Sequence, residues 1–206
     1  MRSSLILSLI IFLVLATSCK RNDKDEEYKY ATSAEFSWGY AQFYGEYYGD
    51  VNINKNVVSL SLFTDSLKIN DNGKLAGFGQ YLFLEDIFSA LTDTVLPQGT
   101  YNISDSHDAF TIAKGEIVEI DGLKYNVGAF VYFIEKNALF SKLEPIIDGN
   151  FTLNYNESKY YMMFDFLLSD SSRFTGRLNF KTLPFIDESE QYKSGVPRQK
   201  LGLELR

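Results

Sequence analysis

The sequence predicts an all-β fold, either an antiparallel β-sandwich or a flattened β-barrel of about ten strands with at most one short helix. Three observations predict this class. Apolar and polar residues alternate in many short segments, turn-forming sequences separate these segments about every ten residues, and no segment sustains a helical apolar repeat with caps at both ends. These segments span 36–187, which we expect to form one β domain.

The predicted strands show the alternation directly. In "RFTGRLNFK", Phe174, Leu178 and Phe180 alternate with polar residues, which gives the strand one apolar and one polar face. The segments "GNFTLNY" and "GTYNIS" follow the same pattern. Residues 123–135, "LKYNVGAFVYFIE", are apolar on both faces and are predicted to cross the middle of a sheet. Turns are expected at "NDNG", "LPQG", "EIDG" and "LSDSS".

One segment, "LEDIFSALTD" at 84–93, has partial helical character. Ile87, Phe88 and Leu91 could share one face after an acidic start at Glu85 and Asp86. We therefore predict a helix of one or two turns that joins two strands.

Two longer segments share a rhythm. Residues 47–84 can be laid over 147–180, since each has a Gly-led strand, a polar turn, an apolar strand ending at an aspartate, and a third strand containing glycine. Two copies of a three-stranded meander would fit a two-layer fold. The alternative is that any two β meanders share this rhythm.

The beginning of the chain has the layout of a secretory signal peptide. Met1 and Arg2 form a basic start, 5–16 is apolar, and small residues follow. The apolar run is shorter than the roughly 20 residues that a membrane-spanning helix needs, so we expect 1–18 to be cleaved.

The residues at the end of this leader point to a lipid anchor. The order "LATSC", which ends at Cys19, resembles a bacterial lipobox, in which the cysteine is acylated and becomes the mature amino terminus. The resemblance implies a lipoprotein held in the membrane by several acyl chains, such as palmitate, on Cys19. Residues 19–35 are polar and are expected to form a tether between the anchor and the β domain.

The tether also indicates a destination. Lys20 stands where an aspartate would resemble an inner-membrane retention signal, so the cell outer membrane is favoured. Residues 24–27, "KDEE", resemble the acidic export signal of Bacteroidetes-type surface lipoproteins, and a solvated linker is the alternative. The whole chain loosely resembles the small β-rich lipoproteins of such bacteria. That resemblance implies a location in the outer membrane, which includes exposure at the cell surface as one possibility. It implies no activity.

Composition excludes one class of partner and limits how the fold is stabilised. The 206 residues carry a net charge of −7 and no basic cluster beyond the tether, so nucleic acid is not an expected partner. The single cysteine leaves the β domain without a disulfide, and its stability must come from burial. Residues 188–206 are polar and contain Pro197, and we expect a dispensable tail.

The residues for metal or nucleophilic chemistry are sparse. The only histidine, His107, lies in "SDSHDAF", where serine, histidine and aspartate are too close in sequence to converge as a triad. One histidine and one acylated cysteine cannot make a usual zinc site. A calcium loop over 68–79 would need acids where Lys68 and Gly79 stand, so a hairpin turn at "NDNG" explains this segment better. We therefore expect no metal and no cofactor.

Paired carboxylates are the remaining basis for an enzyme. Glu46, Glu85, Asp86 and Asp165 fall within aromatic or apolar runs, where a glycosidase-like acid would sit. The alternatives are that Asp165 faces solvent and that Glu85 and Asp86 cap the predicted helix. We expect no catalytic residue, and a glycoside hydrolase is the remote alternative.

The most aromatic stretch, "SWGYAQFYGEYYGD", supplies the candidate ligand site. In a strand, Trp38, Tyr40, Gln42, Tyr44 and Glu46 share one face, where rings alternate with hydrogen-bonding groups. Such a face suits sugar stacking or a protein interface. The alternative is that these rings belong to the core.

The expected function is a non-catalytic binding module for a carbohydrate or peptide, or else a structural subunit of a cell-envelope complex. The expected partners are the membrane, through the lipid, and a glycan or an envelope protein. "DSL" and "DTV" also resemble the short O-glycosylation signal of Bacteroidetes, which would place sugars on Ser66 and Thr94.

Overall fold

A computed structural model of the chain describes residues 32–135, 142–156, 159–192 and 198. The expected signal peptide, the Cys19 anchor and most of the tether lie outside the described residues. Within these ranges the secondary structure is strands and one single-turn 3-10 helix, Gly49–Val51. The strands are β1 (Ser33–Phe36), β2 (Trp38–Gly45), β3 (Asn56–Phe63), β4 (Leu67–Ile69), β5 (Leu75–Gly77), β6 (Gly79–Ser89), β7 (Gly99–Ile103), β8 (Thr111–Ile112), β9 (Glu116–Ile120), β10 (Leu123–Val127), β11 (Ala129–Ile134), β12 (Lys142–Asn156), β13 (Lys159–Leu168), β14 (Arg173–Phe180) and β15 (Phe185–Asp187). The predicted all-β class is confirmed.

Five strands close on one another, and the rest of the main sheet extends from them. β6, β8, β7, β12 and β11 pair in a ring, because β11 lies between β12 and β6 while β7 and β8 connect the same two strands on the other side. From β12 the sheet continues through β13 and β14 to β1, and from β6 it continues through β3 and β2 to β15. The result is a small closed barrel with two sheet extensions.

The two extensions are tied together by the chain itself. β1 pairs parallel with β14 on one extension, and β2, which follows after Ser37 alone, pairs antiparallel with β3 on the other. The chain after β14 returns to the second extension as β15, which runs parallel to β2. These two crossings hold the extensions facing each other.

The main core lies between these facing layers. Its members come from alternate positions of the strands, as in β14, where Phe174 and Leu178 are buried while Arg173 and Arg177 are exposed. This is the alternation that the sequence predicts for "RFTGRLNFK". Each fully buried leucine or phenylalanine contributes roughly 1.5–3 kcal/mol relative to an exposed one.

A second apolar cluster covers the opposite face of β2, β3, β6 and β11. Four rings stack in a row across these strands, with centroid distances of 4.0 Å from Trp38 to Phe63, 4.6 Å from Phe63 to Tyr81 and 5.1 Å from Tyr81 to Tyr132. The β4–β5 hairpin packs against the row through Leu67 and Leu75. β3 and β6 are therefore buried at every residue.

The helix predicted for 84–93 is wrong. Leu84 to Ser89 continue β6, because this segment pairs with β3 and β11 and is buried on both faces, which removes any need for a helical stripe. Residues 90–93 form a turn instead. Its carbonyl groups at Ala90 and Asp93 accept hydrogen bonds from the Asn56 side-chain amide at 3.1 and 2.8 Å.

The two segments of the proposed duplication differ in their strand arrangement, and only the second forms the expected meander. β12, β13 and β14 form an antiparallel meander, whereas the corresponding first half begins with the 3-10 helix Gly49–Val51 and inserts the β4–β5 hairpin between β3 and β6.

The segment 123–135, predicted as one strand, divides at Gly128 into an exposed β10 that pairs with β9 and a buried β11 in the barrel. Only β11 crosses the sheet as predicted.

Buried tyrosines make the fold sensitive to alkaline pH. Burial raises the pKa of Tyr132 from 10.0 to about 12, and burial also raises the pKa of Tyr81 and Tyr101. Above pH 10 the unfolded chain loses these protons while the folded chain keeps them, so stability falls as the pH rises. We expect the free energy of unfolding to fall by about 1.4 kcal/mol per pH unit for each such tyrosine.

Urea unfolding followed by circular dichroism between pH 8 and 12, together with tyrosinate absorbance, measures this effect. Below pH 10 the unfolding midpoint should show no contribution from these groups. Ionisation of all tyrosines near pH 10 in the folded state would contradict the assignment of these rings to the core.

Candidate functional site

The five residues of the predicted ligand face do not form one exposed surface. Trp38 and Tyr40 are half-buried and belong to the second apolar cluster, where Trp38 stacks on Phe63 and its indole Nε1 donates a hydrogen bond to the Leu67 carbonyl at 2.8 Å. Gln42 lies next to Ser59, whose Oγ is 3.5 Å from Oε1 of Gln42. These three positions follow the predicted alternation, but Trp38 and Tyr40 serve the packing of the hairpin on the sheet.

A β-bulge lies at Tyr44, where this row ends. The register of β2 against β3 shifts between Phe43 and Gly45, and Gly45 has a φ of +58°, which favours glycine. Tyr44 lies on the same face of the sheet as Trp38 and Tyr40 but is buried in a third cluster with Val57, Phe88 and Tyr192. Glu46 follows the bulge and is exposed.

A second bulge lies in β6, which pairs with the edge of β3 opposite to β2. Val58 pairs with Ile87 and Leu60 pairs with Leu84, so two residues of β6, Glu85 and Asp86, stand opposite Ser59 alone. A bulge turns two consecutive side chains toward the same region, which a regular strand cannot do. The two bulges therefore bring Tyr44, Glu85 and Asp86 to one place on the surface of β3.

Both carboxylates have fixed partners within the fold. Oε2 of Glu85 accepts a hydrogen bond from the backbone N–H of Gly128 at 2.9 Å, and Oδ2 of Asp86 accepts one from the Tyr48 hydroxyl at 2.9 Å. Gly128 has a φ of +86°, and a Cβ there would overlap the Lys114 carbonyl oxygen. The glycine that divides 123–135 thus also orients Glu85.

The guanidinium of Arg198 lies against these two carboxylates. Its Nη2 is 2.6 Å from Oδ1 of Asp86 and 3.5 Å from Oε1 of Glu85, and its Nη1 donates to the Glu85 carbonyl at 3.2 Å. The side chain of Arg198 is 7% exposed, and those of Glu85 and Asp86 are 9% and 11% exposed. This is a buried ion-paired triad, in which hydrogen bonds join Arg198 to Glu85 and the contact with Oδ1 of Asp86 is an ion pair without hydrogen-bond geometry.

Three tyrosine rings complete the surroundings of this guanidinium. Its central carbon lies 4.5 Å from the ring centroid of Tyr47, 5.0 Å from that of Tyr44 and 5.9 Å from that of Tyr48. A cation at such distances is attracted by the ring quadrupole. We call Tyr44, Tyr47, Tyr48, Glu85 and Asp86 the guanidinium cage.

The two carboxylates of the cage raise the pKa values of the groups beside them. Burial by itself lowers the pKa of Arg198, but the carboxylates of Asp86 and Glu85 outweigh it and raise the pKa above its ordinary value. Burial, followed by the Asp86 charge, raises the pKa of Tyr48, which keeps its hydroxyl protonated as a donor. The occupant is therefore a permanent cation facing two acids.

An open cleft of about 500 Å³ adjoins the cage and shares Tyr44 with it. The cleft is lined by Tyr44, Gly45, Glu46, Gly49, Asp50, Ser189 and Tyr192. Glu46 and Asp50 make it acidic, and the two tyrosines give it aromatic walls. Two residues of the predicted ligand face, Tyr44 and Glu46, thus meet here.

Two residues of the predicted tail belong to this region. Tyr192 is buried with its ring centroid 5.7 Å from that of Tyr44, and Arg198 occupies the cage. The backbone N–H of Glu188 also donates to the Phe43 carbonyl at 2.8 Å. These contacts do not fit a domain boundary at 187 or a dispensable tail over 188–206.

The other candidate residues lie apart from the cage. Asp165 is half-buried on β13 and pairs with Arg173, which lowers the pKa of that carboxyl. His107 lies on an exposed loop with its ring centroid 5.1 Å from that of Phe88. Asn70 opens the β4–β5 hairpin turn, which confirms the turn predicted at "NDNG". Ser66 and Thr94 are exposed.

The described part of the chain holds no group of three His, Cys, Asp or Glu side chains that could bind a metal ion. Nor does any helix in the described ranges have the length and apolar character needed to cross a membrane.

Comparisons of the chain with family models, with curated proteins and with solved structures find no match. The fold and site therefore define a class of architecture only, an all-β domain with a closed five-stranded barrel and an acidic, tyrosine-lined cleft.

The half-buried position of Trp38 makes it a test of the predicted ligand face. We expect Trp38→Ala to lower the free energy of unfolding by about 2–4 kcal/mol, because it removes a stacked ring and the bond to the Leu67 carbonyl. Trp38→Phe, which keeps the stacking, should lose about 1 kcal/mol. Urea unfolding followed by circular dichroism measures both.

Met163→Ala is the matched control, since Met163 is 64% exposed on β13 and should change stability by less than about 0.5 kcal/mol. Equal stability of Trp38→Ala and this control would show that the indole is free for a ligand.

Proposed function

We propose that this protein is a lipid-anchored lipoprotein of the cell outer membrane whose β domain is a non-catalytic binding module for a carbohydrate or a peptide. One observation carries the binding part of the proposal, the acidic open cleft lined by Tyr44 and Tyr192 beside the guanidinium cage. Ligand sites combine aromatic walls with a few polar groups that fix orientation, and this cleft has both.

The lining suits either ligand class. The carboxylates of Glu46 and Asp50 can accept hydrogen bonds from sugar hydroxyls, and Tyr44 and Tyr192, which are 4% and 8% exposed, add a small apolar contact area. The same carboxylates can attract basic groups of a peptide.

The arrangement of the other acids supports a non-catalytic role. A glycosidase, the remote alternative, needs two carboxyl groups that face each other across the substrate. Glu85 and Asp86 are neighbours on one strand, and Arg198, the Gly128 N–H and the Tyr48 hydroxyl contact their oxygens. Asp165 lies away from them on β13.

A structural role in an envelope complex is the second candidate, and a different surface favours it. Within the described residues the β9–β10 hairpin forms a two-stranded sheet of its own, and it exposes large apolar side chains, among them Ile120, Leu123 and Tyr125. Exposed apolar surface of this kind is typical of protein interfaces.

The location rests on the amino-terminal residues. A cleaved leader over 1–18, acyl chains on Cys19 and a polar tether over 19–35 would leave the domain attached to the outer membrane. Sugars on Ser66 and Thr94 would accompany exposure at the cell surface, and both side chains are accessible.

Replacement of Cys19 tests the anchor. We expect Cys19→Ala to incorporate no labelled palmitate and to leave an uncleaved precursor or a soluble protein, because the acylated sulfur is absent. Ser18→Ala is the matched control, since it keeps a small residue before the cysteine and should be processed and labelled. Labelled Cys19→Ala in the membrane fraction would disprove the assignment.

The binding proposal is tested on glycan and peptide arrays with the full chain and two variants. We expect the wild type to retain a glycan or a peptide and Glu46→Gln to bind it about tenfold more weakly, a loss of about 1.4 kcal/mol. Glu119→Gln, on the exposed β9 away from the cleft, should bind like the wild type. Retention of no ligand, with a stable protein partner that Leu123→Ser releases, would favour the structural role instead.

A further inference from the structure

The occupant of the guanidinium cage comes from a distant part of the chain. Arg198 follows Glu85 by 113 residues and lies beyond the fifteen strands of the described residues, yet its side chain is nearly enclosed. We infer that the cage is an arginine-recognition site, which Arg198 fills in cis and which an arginine of a basic peptide partner fills in trans. This inference rests on the proposed function in its peptide form.

The cage matches the chemistry of a guanidinium group rather than that of any cation. A guanidinium is planar, presents donors in a fork and stacks on aromatic faces. The cage offers acceptors on several sides, namely the carboxylates of Asp86 and Glu85 and the Glu85 carbonyl, and it places the Tyr47 ring 4.5 Å from the guanidinium carbon. A lysine ammonium is a compact, strongly hydrated charge that could not use these contacts together.

The walls of the cage are positioned without help from Arg198. The bulges of β2 and β6 arise from pairing with β3, the Gly128 N–H orients Glu85, and the Tyr48 hydroxyl holds Asp86. Withdrawal of Arg198 would remove its guanidinium from two acids that have at most about a tenth of their side-chain surface exposed. Such a pair has a strong preference for another cation, because uncompensated buried charge is costly.

The open cleft gives a peptide a place beside the cage. Tyr44 forms a wall of both, so a peptide whose arginine enters the cage would lay its neighbouring residues along Glu46 and Asp50. Both are acids, which favours a segment with a second basic residue next to the arginine. The net charge of −7 on the whole chain acts in the same direction.

Occupation by Arg198 also sets the apparent affinity. An arginine in the same chain competes at a high effective concentration, so a peptide binds the wild type more weakly than it binds a chain without Arg198. A purely structural role of Arg198 predicts instead that its removal lowers stability and creates no arginine-selective binding. The two roles therefore differ in a binding measurement.

The experiment uses full-length Arg198→Ala and a short acetylated, amidated peptide containing one arginine and one lysine. Calorimetry should show saturable binding to Arg198→Ala that is at least about tenfold tighter than binding to the wild type. The same peptide with citrulline in place of arginine keeps the shape but loses the charge, and it should bind at least about tenfold more weakly. Addition of Asp86→Asn to Arg198→Ala should remove the preference for arginine over citrulline.

Arg173→Ala is the matched control, since Arg173 forms an exposed ion pair with Asp165 and its loss should create no arginine site. If Arg198→Ala does not fold, refolding in ethylguanidinium chloride replaces the peptide titration. Recovery of the folded far-ultraviolet spectrum by ethylguanidinium, but not by ethylammonium, supports the inference, and failure to recover overturns it. Equal binding of the arginine and citrulline peptides to folded Arg198→Ala also overturns it.

The outcomes separate this inference from the proposed function. Retention of a glycan by the wild type, with no arginine-selective binding by Arg198→Ala, rejects the arginine site and leaves the binding module standing. Arginine-selective binding by Arg198→Ala, with no ligand retained by the wild type on either array, supports the cage and rejects the cleft as a site for other ligands.

Discussion

The burial of β3 and β6 on both faces is the constraint on which the rest of the structure depends. A strand has apolar residues on two faces only when a layer covers each of them. On one face of these strands the extension that runs through β13 and β14 to β1 supplies that layer, and on the other the stacked rings and the β4–β5 hairpin supply it. The crossing from β1 to β2 and the return of β15 hold the first of these layers in place.

The same constraint explains how charged groups come to lie inside this fold. Polar side chains on a doubly buried strand must find partners, since an unpaired buried carboxylate is unfavourable. In β6 the bulge turns Glu85 and Asp86 to the side on which the second cluster ends and the third begins. There the Gly128 N–H, the Tyr48 hydroxyl and the Arg198 guanidinium meet them.

Alternation predicted much of the fold because each strand with one exposed face records its orientation in the sequence. β14 shows this, since Phe174 and Leu178 are buried between exposed arginines. β6 shows where this prediction fails. A strand buried on both faces has no apolar and polar alternation, and the acidic residues of its "LEDIF" segment are also typical of the start of a helix. The site was less predictable for a related reason. Tyr44 keeps to the face of Trp38 and Tyr40 but packs with Val57, Phe88 and Tyr192, and no local pattern shows which side chains cover that end of the strand. The place of Arg198 depends on a contact across 113 residues, which no local pattern contains.

The enclosed triad raises a question of stability that bears on its role. Desolvation of three charged groups offsets much of their attraction, and well-packed apolar residues often stabilise such a position as much as an ion pair does. Val57 and Phe88 already lie in the cluster beside the triad, so apolar side chains could pack in its place. Stability alone therefore gives little reason for two acids, three tyrosines and an arginine at this point. Selectivity for a guanidinium gives a better reason. The cage contacts a guanidinium from several sides, so any other group that enters it leaves the acids without a full set of partners. The tail residue that fits this cage in cis shows what kind of group the cage accepts, and in the proposed arginine site the acidic cleft next to it would hold the rest of the peptide.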